Sequence, residues 1–321
     1  MPSGIEENVS DSQPDSRNRG VNIEANSKMS LEGQAGNVSG AESRPNSKAA
    51  EHLPPFEIVS VPGDDGLKLS GILWKPPGAG PFPAVVYNHG SEQFEKSDNY
   101  ADIANFYVKN GFEFLMPLRR GHSYTENGQV LATSDGVLFD DRLSADALSS
   151  QASRNSNWIK EQELDNQDVV AAAKWLAKQP SVESDKMIMS GISFGGIQTC
   201  LAAEKGLGMR AFIPFAPAAM AWEMVPEVHQ RLEQALQNAE APVFLIQAEN
   251  DYSLGPSQDL GPVLDKEGSP NRHKVYAPFE VEKGPAGGHA GFALHGMNKW
   301  RQDLSNFLQE IENLPLSVAA S

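Results

Sequence analysis

From Phe56 onward the chain alternates short apolar runs with segments of helical period, and this alternation constrains the fold more than any other feature of its 321 residues. Phe56–Val61 and Leu67–Trp74 flank Gly63-Asp64-Asp65-Gly66, a strong hairpin signal. Further strands are expected at Ala84–Tyr87, Phe112–Met116, Lys186–Met189, Ala211–Phe215, Val243–Ala248 and Lys274–Pro278. Helices are expected at Asp98–Lys109, Asp165–Lys178, Gly195–Lys205 and Asn298–Ile311. In the second of these, Val169, Ala172, Ala173 and Leu176 share one face. A hairpin followed by such alternation implies an α/β fold, a mostly parallel sheet of eight strands with helices on both faces. Ligands in such sheets bind at the carboxyl ends of the strands, so chemistry is sought just after each apolar run.

Residues 1–52 stand apart. They are rich in Ser, Asn, Gly and Glu, and the first aromatic residue is Phe56. So few large apolar side chains cannot offset ordering entropy, and the segment reads as a disordered tail before a catalytic-sized domain over 53–321. It lacks the basic start and apolar stretch of a secretory signal, which points to a cytoplasmic location. With 26 basic and 42 acidic residues the formal charge is −16, which disfavours nucleic acid and anionic membranes as partners. The longest apolar stretch, Ala211–Trp222, is too short for a bilayer span. The single cysteine, Cys200, excludes an intrachain disulfide and reads as a buried filler. No His-Glu-x-x-His or EF-hand pattern occurs, so neither metal nor cofactor is expected. Residues 119–164 are a long polar stretch, with Leu138–Lys160 expected to be partly helical. It reads equally as a packed excursion or a wall over the site.

The most specific motif is Gly191-Ile192-Ser193-Phe194-Gly195-Gly196, a G-x-S-x-G pattern between an expected strand and an expected helix. In that setting Ser193 occupies a strained turn as a nucleophile, and small neighbours let the backbone approach itself closely. The hydroxyl needs a base, and the base an orienting acid, in the chain order Ser, acid, His. Asp251 follows the strand Val243–Ala248 and is the expected acid, ahead of Glu249. Of seven histidines, His289 in Gly287-Gly288-His289-Ala290-Gly291 is the expected base, on a flexible loop beyond the last strand. His295 is the runner-up, on or beside the closing helix. The oxyanion donors are expected to be the N–H of Phe194 and the N–H of Ser91, or of its neighbour Glu92. His89 and Arg120 sit at the edge of the expected site. Arg120 can pair with a substrate carboxylate, and His89 can either fix its loop or touch substrate.

Together these residues resemble the α/β-hydrolase superfamily, and within it the dienelactone hydrolase family. There is a secondary likeness to the catalytic domains of prolyl oligopeptidase-type peptidases. The likeness covers about residues 54–313 and rests on Asn88-His89-Gly90-Ser91, Arg119-Arg120-Gly121-His122-Ser123, the Ser193 elbow, Asn250-Asp251 and Gly288-His289. It implies an α/β-hydrolase fold and a structural role for an Arg-Gly pair. The family's namesakes use a cysteine nucleophile, whereas this chain has Ser193, which favours a serine esterase acting on a small-molecule ester. The alternatives are a peptidase of the same fold, a non-catalytic binder and an acyltransferase.

Overall fold

The computed structural model describes residues 55–63, 66–91, 100–120, 122–124, 130–132, 151–280 and 285–312. The expectations for the tail at 1–52, for Glu92 and for residues 138–150 lie outside the described residues. Eight strands form one sheet: β1 (Phe56–Pro62), β2 (Lys68–Trp74), β3 (Phe82–Asn88), β4 (Glu113–Pro117), β7 (Val182–Ile192), β8 (Ala211–Phe215), β9 (Phe244–Ala248) and β10 (Arg272–Tyr276). Their spatial order is β1-β2-β4-β3-β7-β8-β9-β10. The β1–β2 hairpin is antiparallel, β2 meets β4 antiparallel, and every pairing from β4 to β10 is parallel. This is an α/β-hydrolase fold. A separate two-stranded ribbon pairs β5 (His122–Tyr124) with β6 (Val130–Ala132).

The central strands read as apolar runs because both their faces are covered. In β7, Met187 and Met189 enter one core while Ile188 and Ile192 enter the other. In β3, Ala84 and Val86 alternate with Val85 and Tyr87 in the same way, the period of two that a pleated strand imposes. The first core is closed by α2 (Gln151–Leu176), α3 (Phe194–Ala202), α4 (Glu227–Gln237) and α5 (Gly255–Glu267). The second is closed by α1 (Ala101–Lys109), α6 (Phe292–His295) and α7 (Met297–Glu312). Along α7, Trp300, Leu304, Phe307 and Ile311 recur at helical spacing and all lie in that core. No helix among the described residues is long and apolar enough to cross a membrane.

The helix expected at Asp165–Lys178 is the second half of a single 26-residue helix that starts at Gln151. Two further helices, α4 and α5, occupy segments for which no helix was expected.

One buried group opposes the fold. Glu113 opens β4 and is 0% exposed. Burial pushes its pKa up, with a hydrogen bond from Ser181 and the charge of Lys75 pulling it partly back. A carboxyl whose folded pKa is raised favours folding at low pH and loses that contribution as pH rises through the raised value. Glu113→Gln is therefore expected to stabilise the protein by about 1 kcal/mol at pH 8, roughly 2–4 °C in Tm. The gain shrinks towards pH 4, and thermal melts of both proteins across that range check it.

Candidate active site

The order of strands reverses at β3: the chain leaves β3 for β4 on one side, then crosses to β7 on the other. A crevice opens at such a switch point, outside the strand carboxyl ends. The elbow after β7 and the loop after β3 meet there.

Ser193 joins β7 to α3 with φ 57° and ψ −113°, a left-handed conformation in a non-glycine residue. Such a residue costs about 1–3 kcal/mol and persists only where its surroundings over-determine it. Here its N–H donates to the Phe215 carbonyl (2.9 Å) and its carbonyl accepts from the Ile197 N–H (3.0 Å). The flanking glycines are steric necessities. A Cβ on Gly191 would lie 2.5 Å from the Gly195 carbonyl oxygen. One on Gly195 would lie 1.9 Å from the Asn88 carbonyl oxygen. The turn is locked to β3 by Asn88, whose Nδ2 donates to Thr199 Oγ1 (3.1 Å), which donates in turn to the Gly195 carbonyl (2.8 Å).

The loop after β3 is clamped from beneath. Arg119, 2% exposed, donates through Nη1 to the His89 carbonyl (2.8 Å) and through Nη2 to the Gly90 carbonyl (2.9 Å). Its guanidinium also lies 4.6 Å from the centroid of the Phe194 ring, so one cation ties the loop to the elbow. Tyr100 Oη accepts from the Gly90 N–H (3.0 Å). The next N–H along, that of exposed Ser91, is the one expected as an oxyanion donor.

Two expected substrate contacts are corrected. His89 is 0% exposed, with Nδ1 2.8 Å from the Gly90 carbonyl and Nε2 facing the Arg119 N–H at 3.5 Å. It fixes the loop. Arg120 makes a bidentate pair with Asp168 on α2, Nη2 to Oδ1 at 2.6 Å and Nε to Oδ2 at 3.0 Å. The Arg120 N–H also donates to Oδ2 (2.7 Å). Its fork is engaged by a buried carboxylate, so it anchors the chain after β4 to α2.

Two strands from β7 along the sheet, the turn after β9 carries Asp251, whose side chain is fully buried. Its Oδ1 lies 2.7 Å from His289 Nδ1 and accepts from the Tyr252 N–H (2.7 Å). Its Oδ2 accepts from Gln247 Nε2 (2.9 Å). A carboxylate only accepts, so in the neutral imidazole Nδ1 carries the proton and Nε2 the lone pair. Nε2 is buried and has no hydrogen-bond partner among the described residues. The Tyr252 ring meets the imidazole edge-on, centroids 5.3 Å apart.

His289 lies in a π-helical turn, Gly287–Gly291, continuous with α6, where a flexible loop was expected. Single π turns recur at functional sites. Its placement depends on Asn250, which pairs with the Phe279 backbone in both directions (Nδ2 to O, 3.0 Å; N to Oδ1, 2.9 Å). Gly288 packs so closely on Asn250 that a Cβ would lie 2.5 Å from its carbonyl oxygen. His295 instead faces Asp102 at the surface (3.4 Å), and His229 is stacked on Trp222. Cys200 is buried, and burial pushes its thiol pKa up, so it is no rival nucleophile.

Sequence reasoning did not find Gln247, Tyr100 or Asp168, and it quoted Asn250 as part of the Asn250-Asp251 motif without a role of its own. Only Asn250 carried a local signal, standing beside the expected acid.

The arrangement offers a strained serine at a helix start and a buried imidazole oriented by a carboxylate. The fold recurs in solved structures. An esterase from Pyrococcus furiosus matches with TM-score 0.56 and 16% identity, over 87% of this chain and 97% of that one. A dienelactone hydrolase from Anabaena variabilis matches with TM-score 0.51 and 20% identity, over 78% and 99%. Porphyromonas gingivalis dipeptidyl peptidase 4 matches with TM-score 0.55 and 14% identity over 82% of this chain, which spans only 36% of the peptidase. No curated protein matches this chain. The profile of the dienelactone hydrolase family matches residues 69–284, more than half of the sequence and every strand from β2 to β10, and the chain belongs to that family of hydrolases.

Proposed function

We propose that this chain is a serine hydrolase that cleaves a carboxylic ester of a small molecule through an acyl-enzyme. The observation that carries the reading is the buried His289–Asp251 pair, with His289 Nε2 making no hydrogen bond, to Ser193 or any other described residue, at the same carboxyl end of the strands as the strained Ser193. Ser193 Oγ attacks the ester carbonyl carbon while its proton passes to His289 Nε2. The oxyanion takes hydrogen bonds from the N–H groups of Phe194 and Ser91. Collapse expels the alcohol, which takes the proton from His289, and leaves an acyl group on Ser193. Water then attacks the acyl carbon with His289 as base, and the acid leaves. Asp251 holds the imidazole tautomer throughout.

Exposed apolar side chains support an apolar substrate portion. Met220 (50%) and Met224 (63%) stand on the loop after β8, and Tyr252 (43%) on the loop after β9 beside His289. Glu223 accepts from Ser253 Oγ (3.0 Å), which joins the two loops.

The test is a comparison of 4-nitrophenyl acetate, butyrate and hexanoate with a dipeptidyl 4-nitroanilide. The expected result is a burst of nitrophenolate, higher kcat/KM for butyrate and hexanoate than for acetate, and an anilide rate at least about 100-fold lower. Faster anilide cleavage would reassign the chain to the peptidases of its fold.

A further inference from the structure

Gln247 is a fully buried polar residue in β9, whose other residues are Phe244, Leu245, Ile246 and Ala248. Burying an amide is unfavourable unless its hydrogen bonds are made, and here both ends are saturated. Nε2 donates to the Ser253 carbonyl (2.6 Å) and to Asp251 Oδ2 (2.9 Å). Oε1 accepts from Ser257 Oγ (2.7 Å) and from the Ser257 N–H (3.3 Å) in the first turn of α5.

These partners dictate the direction of the amide. The Ser253 carbonyl and the Asp251 carboxylate can only accept, and the Ser257 N–H can only donate. A flipped amide would set oxygen against two oxygens and N–H against N–H. The backbone of α5 therefore aims two N–H bonds of Gln247 upward, one of them at Asp251.

We infer that Gln247 is a positioning residue for the Asp251–His289 pair: its donor holds Asp251 Oδ2, so that Oδ1 is the oxygen presented to the imidazole. This rests on the reading of Ser193, His289 and Asp251 proposed above. Without that donor a buried carboxylate keeps only the Tyr252 N–H and His289 as partners, and it can turn about its Cβ–Cγ bond. Misplacement of a catalytic group by an ångström costs on the order of 100-fold in rate.

The test uses the full chain and three variants, Gln247→Met, Gln247→Glu and Ser257→Ala. Each is assayed with 4-nitrophenyl butyrate across pH 6–9, by its labelling rate with a fluorophosphonate, and by Tm. Gln247→Met is close in shape but has no donor. It is expected to lower kcat and labelling roughly 10- to 100-fold with KM within about twofold. Gln247→Glu in its protonated form can donate to Asp251, so it is expected to exceed Gln247→Met at pH 6. That advantage should vanish by pH 9, when the added carboxyl ionises beside Asp251. Ser257→Ala removes the Oγ–H donor that helps hold Oε1, while the Ser257 N–H keeps the amide's direction, and a two- to fivefold loss is expected, on the order of one hydrogen bond's partial loss.

A packing role alone would lower Tm and leave the pH profiles of the two Gln247 variants alike. That outcome, or a folded Gln247→Met that labels at the wild-type rate, overturns the inference while leaving the Ser193 reading intact. A wild-type chain that takes no label at Ser193 overturns both. Should Gln247→Met fail to fold, the pH profile of Gln247→Glu and the rate of Ser257→Ala decide.

Discussion

Ser193→Ala is expected to lower kcat/KM for 4-nitrophenyl butyrate by about 10⁴-fold or more, with KM barely changed. The residual rate would come from the oxyanion donors and binding alone. Stability provides an independent check on the elbow. Alanine is no better suited than serine to φ 57°, so Tm should move by little. Ser193→Gly loses the same hydroxyl but adopts that φ without steric cost, so it should be more stable than Ser193→Ala by about 1 kcal/mol. Equal Tm values for the two variants would show that the serine turn is not strained.

Gly195→Ala is the second large effect. Its Cβ would meet the Asn88 carbonyl oxygen at 1.9 Å and that of His89 at 2.5 Å, backbone atoms at the end of β3 and in the loop after it. Neither can rotate away as a side-chain tip could. The loop is also pinned from below by Arg119, so the displacement spreads into the buried cluster under the elbow. The expected cost is about 3 kcal/mol or more, roughly 6–12 °C in Tm. Any folded fraction should lose at least about 100-fold in kcat, because the turn carrying Ser193 and Phe194 moves relative to the loop carrying Ser91. Melts and burst kinetics on the purified variant measure both.

Much of this architecture was legible residue by residue. Strands β7, β8 and β9 are covered on both faces, so their apolar runs stood out from the polar connections. The elbow was legible because its glycines answer local contacts, and local contacts leave local patterns. The pairing of Asp251 with His289 was legible from their places after β9 and β10. Other features depend on distant partners and left no such trace. Arg119 and Arg120 are neighbours after one strand, yet Arg119 clamps the His89 loop and Arg120 binds Asp168, 48 residues away. Nothing local separates the two. Helix α5 was hidden by Gly255, Pro256, Gly261 and Pro262, residues that ordinarily argue against a helix. Its place is set by burial of Leu260, Val263 and Leu264 in the first core. Helix α4 did carry a signal: Val228, Leu232, Ala235 and Leu236 are its buried face, spaced as a helix spaces them. The polar residues between them masked it.

The central claim is that Ser193, activated by His289 and Asp251, is the nucleophile. The most direct test is fluorophosphonate labelling of the full chain followed by peptide mass spectrometry, beside Ser193→Ala. The account predicts one adduct per chain, on the peptide containing Gly191-Ile192-Ser193, and none in the variant. A folded wild-type chain without an adduct, or a label that persists in Ser193→Ala, would contradict it.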